Sequence, residues 1–426
     1  MMMVGITRSV HRAVAVAALV ALIAVGAART GEAQRSTVRW VGTWATAAMS
    51  RAPQPPAGRG GQAAAAVNFN NQTVRQIVHV SVGGSQVRVA FSNVYGTAPL
   101  SIGAAHVALR STGASIVPAS GRPLLFNGSA STTVPAGATL LSDAASLTVP
   151  DFADLAVDLF LPGDTGTGSS PLTVHNTALQ TNYVSQPGNH AGKAEFPVAS
   201  TSAVWYFLGR VDVAPGRPAL GVVTFGDSIT DGTASTPDTN NRWPDHLAKR
   251  LKARGIRAGV MNLGIAGNRL LTDGIGTNAL ARFDRDVLAQ SGATHVVVLE
   301  GINDLGLGAP NPPPVADLIA AHRQIVERAH VRGLRVIGST MLPFEGTTFA
   351  NYWSAENDAK RRAFNEWIRT SGTYDGVIDF DAAIKDPAEP SKVNARFRAM
   401  DNLHLNDVGY AAMAEAVNLA FFPAAK

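Results

Sequence analysis

Beyond residue 218 the chain repeats one arrangement: an apolar run, a stretch with helical spacing, then another apolar run. The runs fall at 220–225, 258–263, 295–299, 334–340 and 376–380. Helical spacing covers 243–254, 278–290, 315–332 and 355–370, with a last stretch after Asn406. Alternation of this kind closes through right-handed crossovers into a mainly parallel sheet with helices on both faces. Chemistry in such sheets collects in the loops at the carboxyl ends of the strands.

The preceding part has another texture. From 67 to 217 the runs are short, rich in Val, Ile and Thr, and punctuated by turn residues. In the run 73–82, Val74, Gln76, Val78, Val80 and Val82 fall on one face of a strand, with Gln76 the one polar intruder. Gly83-Gly84 then reads as a hairpin turn, with 86–91 as the returning strand. Further strands are expected at 105–109, 146–149, 155–160 and 203–211. This half is expected to be an all-β sandwich or jelly-roll-like domain. Pro215-Gly216-Arg217-Pro218 reads as a linker, which puts the boundary between 34–217 and 218–426. Residues near 51–66, rich in Pro, Gly and Ala, read as a flexible insertion in the first of these.

At the N-terminus, Arg8, His11 and Arg12 precede an uninterrupted apolar stretch at 13–28, followed by Gly31-Glu32-Ala33. That is the order of a signal peptide spanning 1–33, which implies a secreted or periplasmic protein; a retained N-terminal anchor is the alternative. The stretch is short for a membrane span, and no later run is long enough to be one. The formal charge is +5, of which 1–33 carry a net +2 (Arg8, Arg12 and Arg29 against Glu32), leaving +3 over 34–426. With no dense Lys/Arg run interleaved with aromatics, nucleic acid is excluded as an expected partner. The absence of cysteine rules out disulfides, thiolate catalysis and Cys-based zinc sites.

Four segments sit where chemistry is expected. The first strand of the second half runs into Gly226-Asp227-Ser228-Ile229, with Ser228 at the turn. A serine hydroxyl becomes a nucleophile when a base takes its proton and a tight turn presents it. Thr230 stands where the second glycine of a Gly-x-Ser-x-Gly elbow would be, and an isolated serine here reads equally as a turn or helix cap. After the second strand comes Asn262-Leu263-Gly264-Ile265-Ala266-Gly267-Asn268, whose glycines let a backbone N–H approach a reacting oxygen. After the third comes Gly301-Ile302-Asn303-Asp304, where the Asn303 amide can donate to an oxyanion, or Asn303 or Asp304 can form an Asx turn or cap. Past the last strand, Asp401-Asn402-Leu403-His404 places a carboxylate three residues before a histidine, within reach of its ring.

Taken in this order, the four segments resemble the signature blocks of the SGNH (GDSL-type) serine hydrolase superfamily over about residues 220–420. The resemblance implies a flavodoxin-like three-layer α/β/α domain and a serine esterase or lipase. It implies Ser228, Asp401 and His404 as catalytic residues, and an oxyanion hole from the Ser228 N–H, the Gly267 N–H and the Asn303 amide. Gly264 is the alternative register for the second-block glycine. The longer string Gly226-Asp227-Ser228-Ile229-Thr230-Asp231-Gly232, with Gly42-Thr43-Trp44 and Ser92-Asn93-Val94-Tyr95-Gly96, is similar to a secreted branch carrying an N-terminal β-sandwich. Leu405 departs from the proline frequent after the family's histidine.

The expected reaction is acyl transfer from an ester to water, with no metal and no organic cofactor. Gly/Asn/Asp-rich loops and the branch resemblance favour short-chain or acetyl esters, on small molecules or on carbohydrate. A long-chain lipase or lysophospholipase, and a non-catalytic polysaccharide-binding protein on a degenerate hydrolase fold, are the alternatives. Trp44, Tyr95, Trp205, Tyr206 and Trp353 form either a sugar-stacking face or core.

Overall fold

A computed structural model describes residues 38–51, 67–168, 171–308 and 310–425. The leader and most of the insertion near 51–66 lie outside the described residues. The described residues from Trp40 onward form one compact unit. Among the described residues, no helix is long and apolar enough to cross a membrane.

Val41–Ala45, Leu208–Val213, Val87–Ser92 and Thr139–Leu141 form a four-stranded antiparallel sheet, neighbouring strands pairing in that order. A six-stranded antiparallel sheet runs in the order Val198–Ser202, Asn182–Pro187, Gln72–His79, Asp154–Leu161, Ala104–Leu109 and Arg122–Leu124. The period of two decides what each face buries. Val74, Val78, Val107 and Val157 join one core with Val87, Val89, Phe91, Val211 and Val213 of the other sheet. On the opposite face Ile77, Ala108 and Ala156 pack under Ile116 and Phe196.

Gln76, the polar intruder, is fully used: its amide donates to Tyr206 O (3.0 Å) and accepts from Tyr206 N (2.6 Å). The other face buries Arg75, whose guanidinium grips Asp158 through two bonds of 2.7 Å and lies 4.4 Å from the Phe196 ring. Among the expected aromatics, Trp44, Trp205 and Tyr206 are core, Trp44 packing edge-on to Trp205 at 4.9 Å. A sugar-stacking face built on those three is therefore overturned.

The expected hairpin at Gly83-Gly84 is also overturned. Gln72–His79 and Val87–Ser92 belong to different sheets, and the glycines carry the chain between them. Gly84 bridges to Val149, and Gly83 N donates to Asp151 Oδ1 (2.7 Å). A Cβ on Gly83 would lie 2.0 Å from Val149 O, so the pair is there for close backbone approach to a third segment. The strand expected at 146–149 is reduced to that isolated bridge.

The five alternating runs form one parallel sheet in the order Ala258–Gly264, Leu220–Gly226, Ala293–Leu299, Arg335–Ser339 and Gly376–Ile378. Numbered along the chain this is 2-1-3-4-5, the flavodoxin-like order, with a switch point beside the first strand. That first strand is buried along its whole length, as a strand covered on both faces must be. The order reverses after the second strand, so right-handed crossovers send the helix Trp243–Ala253 to one face and the later crossover helices to the other. Asp407–Glu415 joins Trp243–Ala253, while Val315–Val331 packs with Ala355–Thr370. The helix expected at 278–290 is α-helical at Ala279–Phe283 and then widens into a π turn at Asp284–Leu288.

The 217/218 boundary falls in coil between Leu208–Val213 and Leu220–Gly226, inside the compact unit. Gly42 explains how closely the β-rich part approaches the parallel sheet: a Cβ there would lie 2.2 Å from Met261 Sδ, and one on Gly259 would lie 2.0 Å from Gly42 O. Ser81 Oγ accepts from Val260 N (2.8 Å), covering the outer edge of the parallel sheet.

Breaking the Arg75–Asp158 pair leaves a charge buried without its partner, which costs about 3–5 kcal/mol. Asp158→Ala should therefore lower stability by about that amount in urea titrations, whereas Arg75→Met with Asp158→Leu should recover most of it. Equal stability of the Asp158→Ala variant and the parent would contradict this account.

Candidate active site

The three strands at the switch point deliver three loops to one place. The first ends at Gly226, where a Cβ would lie 2.2 Å from Thr230 Oγ1 and 2.6 Å from Leu299 O. Only glycine lets the chain turn this tightly against its neighbours, and Thr230 occupies the space that an elbow's second glycine would leave open. Asp227 caps the short helix Ser228–Asp231, its Oδ1 accepting from Ile229 N (2.9 Å). Ser228 is thus the first helical residue and not the cap, and an N–H in a helix's first turn has no acceptor within the helix. Gly232 closes the turn at φ 100°, a left-handed conformation suited to glycine.

Ser228 Oγ lies 2.8 Å from His404 Nε2, and His404 Nδ1 lies 2.6 Å from Asp401 Oδ2. The spacing of three works because the loop folds back on itself: Asp401 Oδ1 also accepts from the Leu403 and His404 amides, at 3.0 and 2.9 Å. Leu405, in the place where proline is frequent, is fully buried. Bonds from Ala399 N to His404 O and from Asn406 N to Phe397 O hold the loop on both sides of it. The Phe349 ring meets the His404 ring edge-on, 6.2 Å between centroids.

In the second loop, Gly264 N donates to Asn262 Oδ1, Ile265 N to Gly226 O, Ala266 N to Asp231 Oδ2 and Asn268 N to Ile265 O. Between 264 and 268, among the described residues, only the Gly267 N–H has no hydrogen-bond acceptor, and its φ is 73°. That favours Gly267 over Gly264 as the donor to a reacting oxygen.

In the third loop the cap reading of Asn303 does not hold. Its side chain forms no Asx turn or cap; Nδ2 donates to Asn268 O (2.9 Å), beside Gly267, and Oδ1 accepts from Tyr352 OH (2.8 Å). One amide hydrogen stays free to donate, and the tyrosine fixes which way the amide faces. Asp304 instead receives the Leu270 and Leu271 amides at 2.7 and 3.0 Å.

Beneath these loops lies Arg282, which nothing in the motif spacing singled out. It donates to Asn268 Oδ1, Leu263 O, Asp286, Gly226 O and Glu300, all within 3.1 Å, using all five of its N–H groups. Its signal was present: Ala279, Arg282, Phe283, Asp286 and Val287 fall on one stripe, so two charges four apart lie on a buried face. Asp286 and Glu300 accept from this cation, and Asp227 feels its charge. Burial raises Glu300 well above its ordinary range, with nearby Asp227 adding and Arg282 opposing. Asp227 and Asp304 are likewise raised, chiefly by burial. Among the described residues, no cluster of His, Asp or Glu has the arrangement of a metal site.

The arrangement can pass a proton from a serine hydroxyl to an imidazole held by a carboxylate. Burial pushes the Asp401 carboxyl up, but bonds from the His404 ring and from the His404 and Leu403 amides outweigh it and hold the group at about 2. An unfolded aspartate titrates near about 3.9, so the stability this group contributes is complete above about pH 4 and lost as pH falls through about 2. Asp401→Asn should remove that acid limb. Urea midpoints of the variant should fall less between about pH 4 and pH 2 than those of the parent, and equal falls would contradict the assignment.

The sequence model of the GDSL-like lipase/acylhydrolase family matches residues 224–412. No curated protein matches the chain. Among solved structures, a GDSL-like lipase from Bacteroides thetaiotaomicron is similar at 18% identity and TM-score 0.36, over 47% of this chain and 87% of that one. The Mycobacterium smegmatis aryl esterase is similar at 15% identity and TM-score 0.38, over 46% and 96%. The acetyl xylan esterase AlAXEase is similar at 19% identity and TM-score 0.37, over 46% and 97%. The match takes in Ser228, after the first strand, and the loop that carries His404, so residues 224–412 are a GDSL-like lipase/acylhydrolase domain.

Proposed function

We propose that the protein is an exported serine esterase that hydrolyses short-chain carboxylic esters through an acyl-enzyme on Ser228. The observation that carries this reading is the unbroken relay from Asp401 to His404 to Ser228, with links of 2.6 and 2.8 Å. His404 Nε2 takes the Ser228 proton as Oγ bonds to the ester carbonyl carbon. The carbonyl oxygen becomes an oxyanion between the Ser228 and Gly267 N–H groups and the Asn303 amide. The imidazolium, steadied by Asp401, then protonates the leaving alcohol as the C–O bond breaks. A water molecule repeats the sequence on the acyl-enzyme, releasing the acid and the free serine.

Export rests on the leader at 1–33, and we take 34–217 and 218–426 as the two parts of the mature enzyme. The preference for short acyl groups, acetyl esters of carbohydrate included, is supported by what borders the relay. The neighbouring loops use their Gly, Asn and Asp residues on backbone hydrogen bonds. Among the described residues, exposed apolar side chains next to the site include Phe349 against His404, Ile275 against Gly267 and Met400 beside Asp401 in sequence.

Ser228→Ala should lower kcat on p-nitrophenyl acetate by at least about 10⁴-fold while leaving the melting temperature unchanged. Retained turnover in that variant would overturn the nucleophile. In a p-nitrophenyl ester series, kcat/KM should be highest for acetate to butyrate. A maximum at long chains would make the protein a lipase, and no turnover by the parent would make it a binding protein.

Tyr352→Phe removes one hydrogen bond that orients Asn303, worth about 1–1.5 kcal/mol. It should lower kcat about tenfold with KM unchanged, and an unchanged kcat would remove Asn303 from the oxyanion site.

A further inference from the structure

One short strand of the β-rich part, Leu172–His175, reaches the catalytic loops. His175 is 1% exposed. Its Nδ1 lies 2.8 Å from Ala47 O and its Nε2 lies 3.0 Å from Asp231 Oδ1. A carbonyl oxygen can only accept, so Nδ1 bears a hydrogen. Asp231 ends the helix that begins at Ser228, and its other oxygen accepts from Ala266 N (3.2 Å), the amide next to Gly267.

A second tether starts from the same strand. Thr173 Oγ1 accepts from Tyr95 N (3.0 Å), and Tyr95 OH lies 2.7 Å from Thr277 Oγ1. Thr277 O accepts from Asn268 Nδ2 (2.9 Å), on the other side of Gly267. Tyr95 is presented by the Ser92-Asn93-Val94-Tyr95-Gly96 turn. There Asn93 Nδ2 donates to Ala98 O (2.9 Å), and Gly96 approaches too closely for a Cβ, which would lie 1.9 Å from Asn93 Oδ1. The loop holding Gly267 is thus pinned from both flanks by residues of the β-rich part.

Burying an imidazole beside a carboxylate gains little stability over an apolar pair of the same shape, so this contact calls for a geometric reason. We infer that the β-rich part is a working component of the hydrolase: His175 is a positioning residue that acts through Asp231 to hold the Ala266–Gly267 peptide in place beside Ser228. This inference rests on the reading of Ser228 and Gly267 given above.

The test uses the full chain and two amides that divide the histidine's contacts. His175→Asn places its amide near Nδ1, keeping the Ala47 bond and losing Asp231; His175→Gln reaches the Nε2 position and keeps Asp231. Loss of a whole oxyanion donor costs about 10²–10³ in kcat, so its displacement in His175→Asn should cost about 10–100-fold, with KM within about twofold. His175→Gln should restore kcat to within about fivefold of the parent. Asp231→Ala should match His175→Asn, and the double variant should lose no more than either alone, because both break one link.

Ser228 labelling by a fluorophosphonate separates this inference from the reading beneath it. The parent should be labelled at Ser228, and His175→Asn should be labelled at the same residue but at least about tenfold more slowly. Parent protein that is not labelled at Ser228 overturns the nucleophile. A labelled parent overturns the inference alone in either of two cases: His175→Asn keeps parental kcat and labelling rate, or His175→Asn and His175→Gln lose kcat equally. Failure of both His175→Asn and Asp231→Ala to fold would assign the contact to stability and overturn the inference too.

Discussion

The guanidinium of Arg282 ties the active site together from below. It holds the carbonyl of Gly226 at the end of the first strand, that of Leu263 near the end of the second, and Glu300 just after the third. Through Asn268 it also reaches the loop that carries Gly267. Three strand ends that converge without covalent links need a common partner, and a planar cation with five donors can serve several acceptors at once. The Phe225 ring lies 4.1 Å from it, closing off the remaining face.

Burial sets the surrounding electrostatics. Asp227, Glu300 and Asp304 lie too deep for each to carry a charge without penalty, and all three are raised. Asp401 is the contrast: it lies nearer the surface, accepts three hydrogen bonds, and is held at about 2. A carboxylate that stays charged beside His404 can stabilise an imidazolium; the deeper carboxyl groups hold backbone amides and the arginine. The chain thus separates an ionised aspartate at the relay from carboxyl groups used as scaffolding.

Much of this was legible in the residues. The five apolar runs and their spacing gave the parallel sheet, and the four loop segments gave Ser228, Asn303, Asp401 and His404, because short-range patterns record strand ends and turn chemistry. Gly267 was legible with Gly264 as an alternative; the structure shows the Gly264 amide already bonded to Asn262. Hidden were the contacts between segments far apart in the chain. Arg282 sits 56 residues from Gly226, and Tyr352 sits 49 from Asn303. The Gly83-Gly84 hairpin failed for the same reason, since a glycine pair marks close backbone approach without saying to what.

Ser228 and its relay are therefore written in the sequence, because each member lies at a strand end or three residues from its partner. Which loop amides are already bonded, what holds Asn303, and that His175 of the β-rich part reaches Asp231 were decided only by tertiary structure. Those contacts join side chains by packing across lobes and strands, and a linear pattern carries no record of which distant segments share a face.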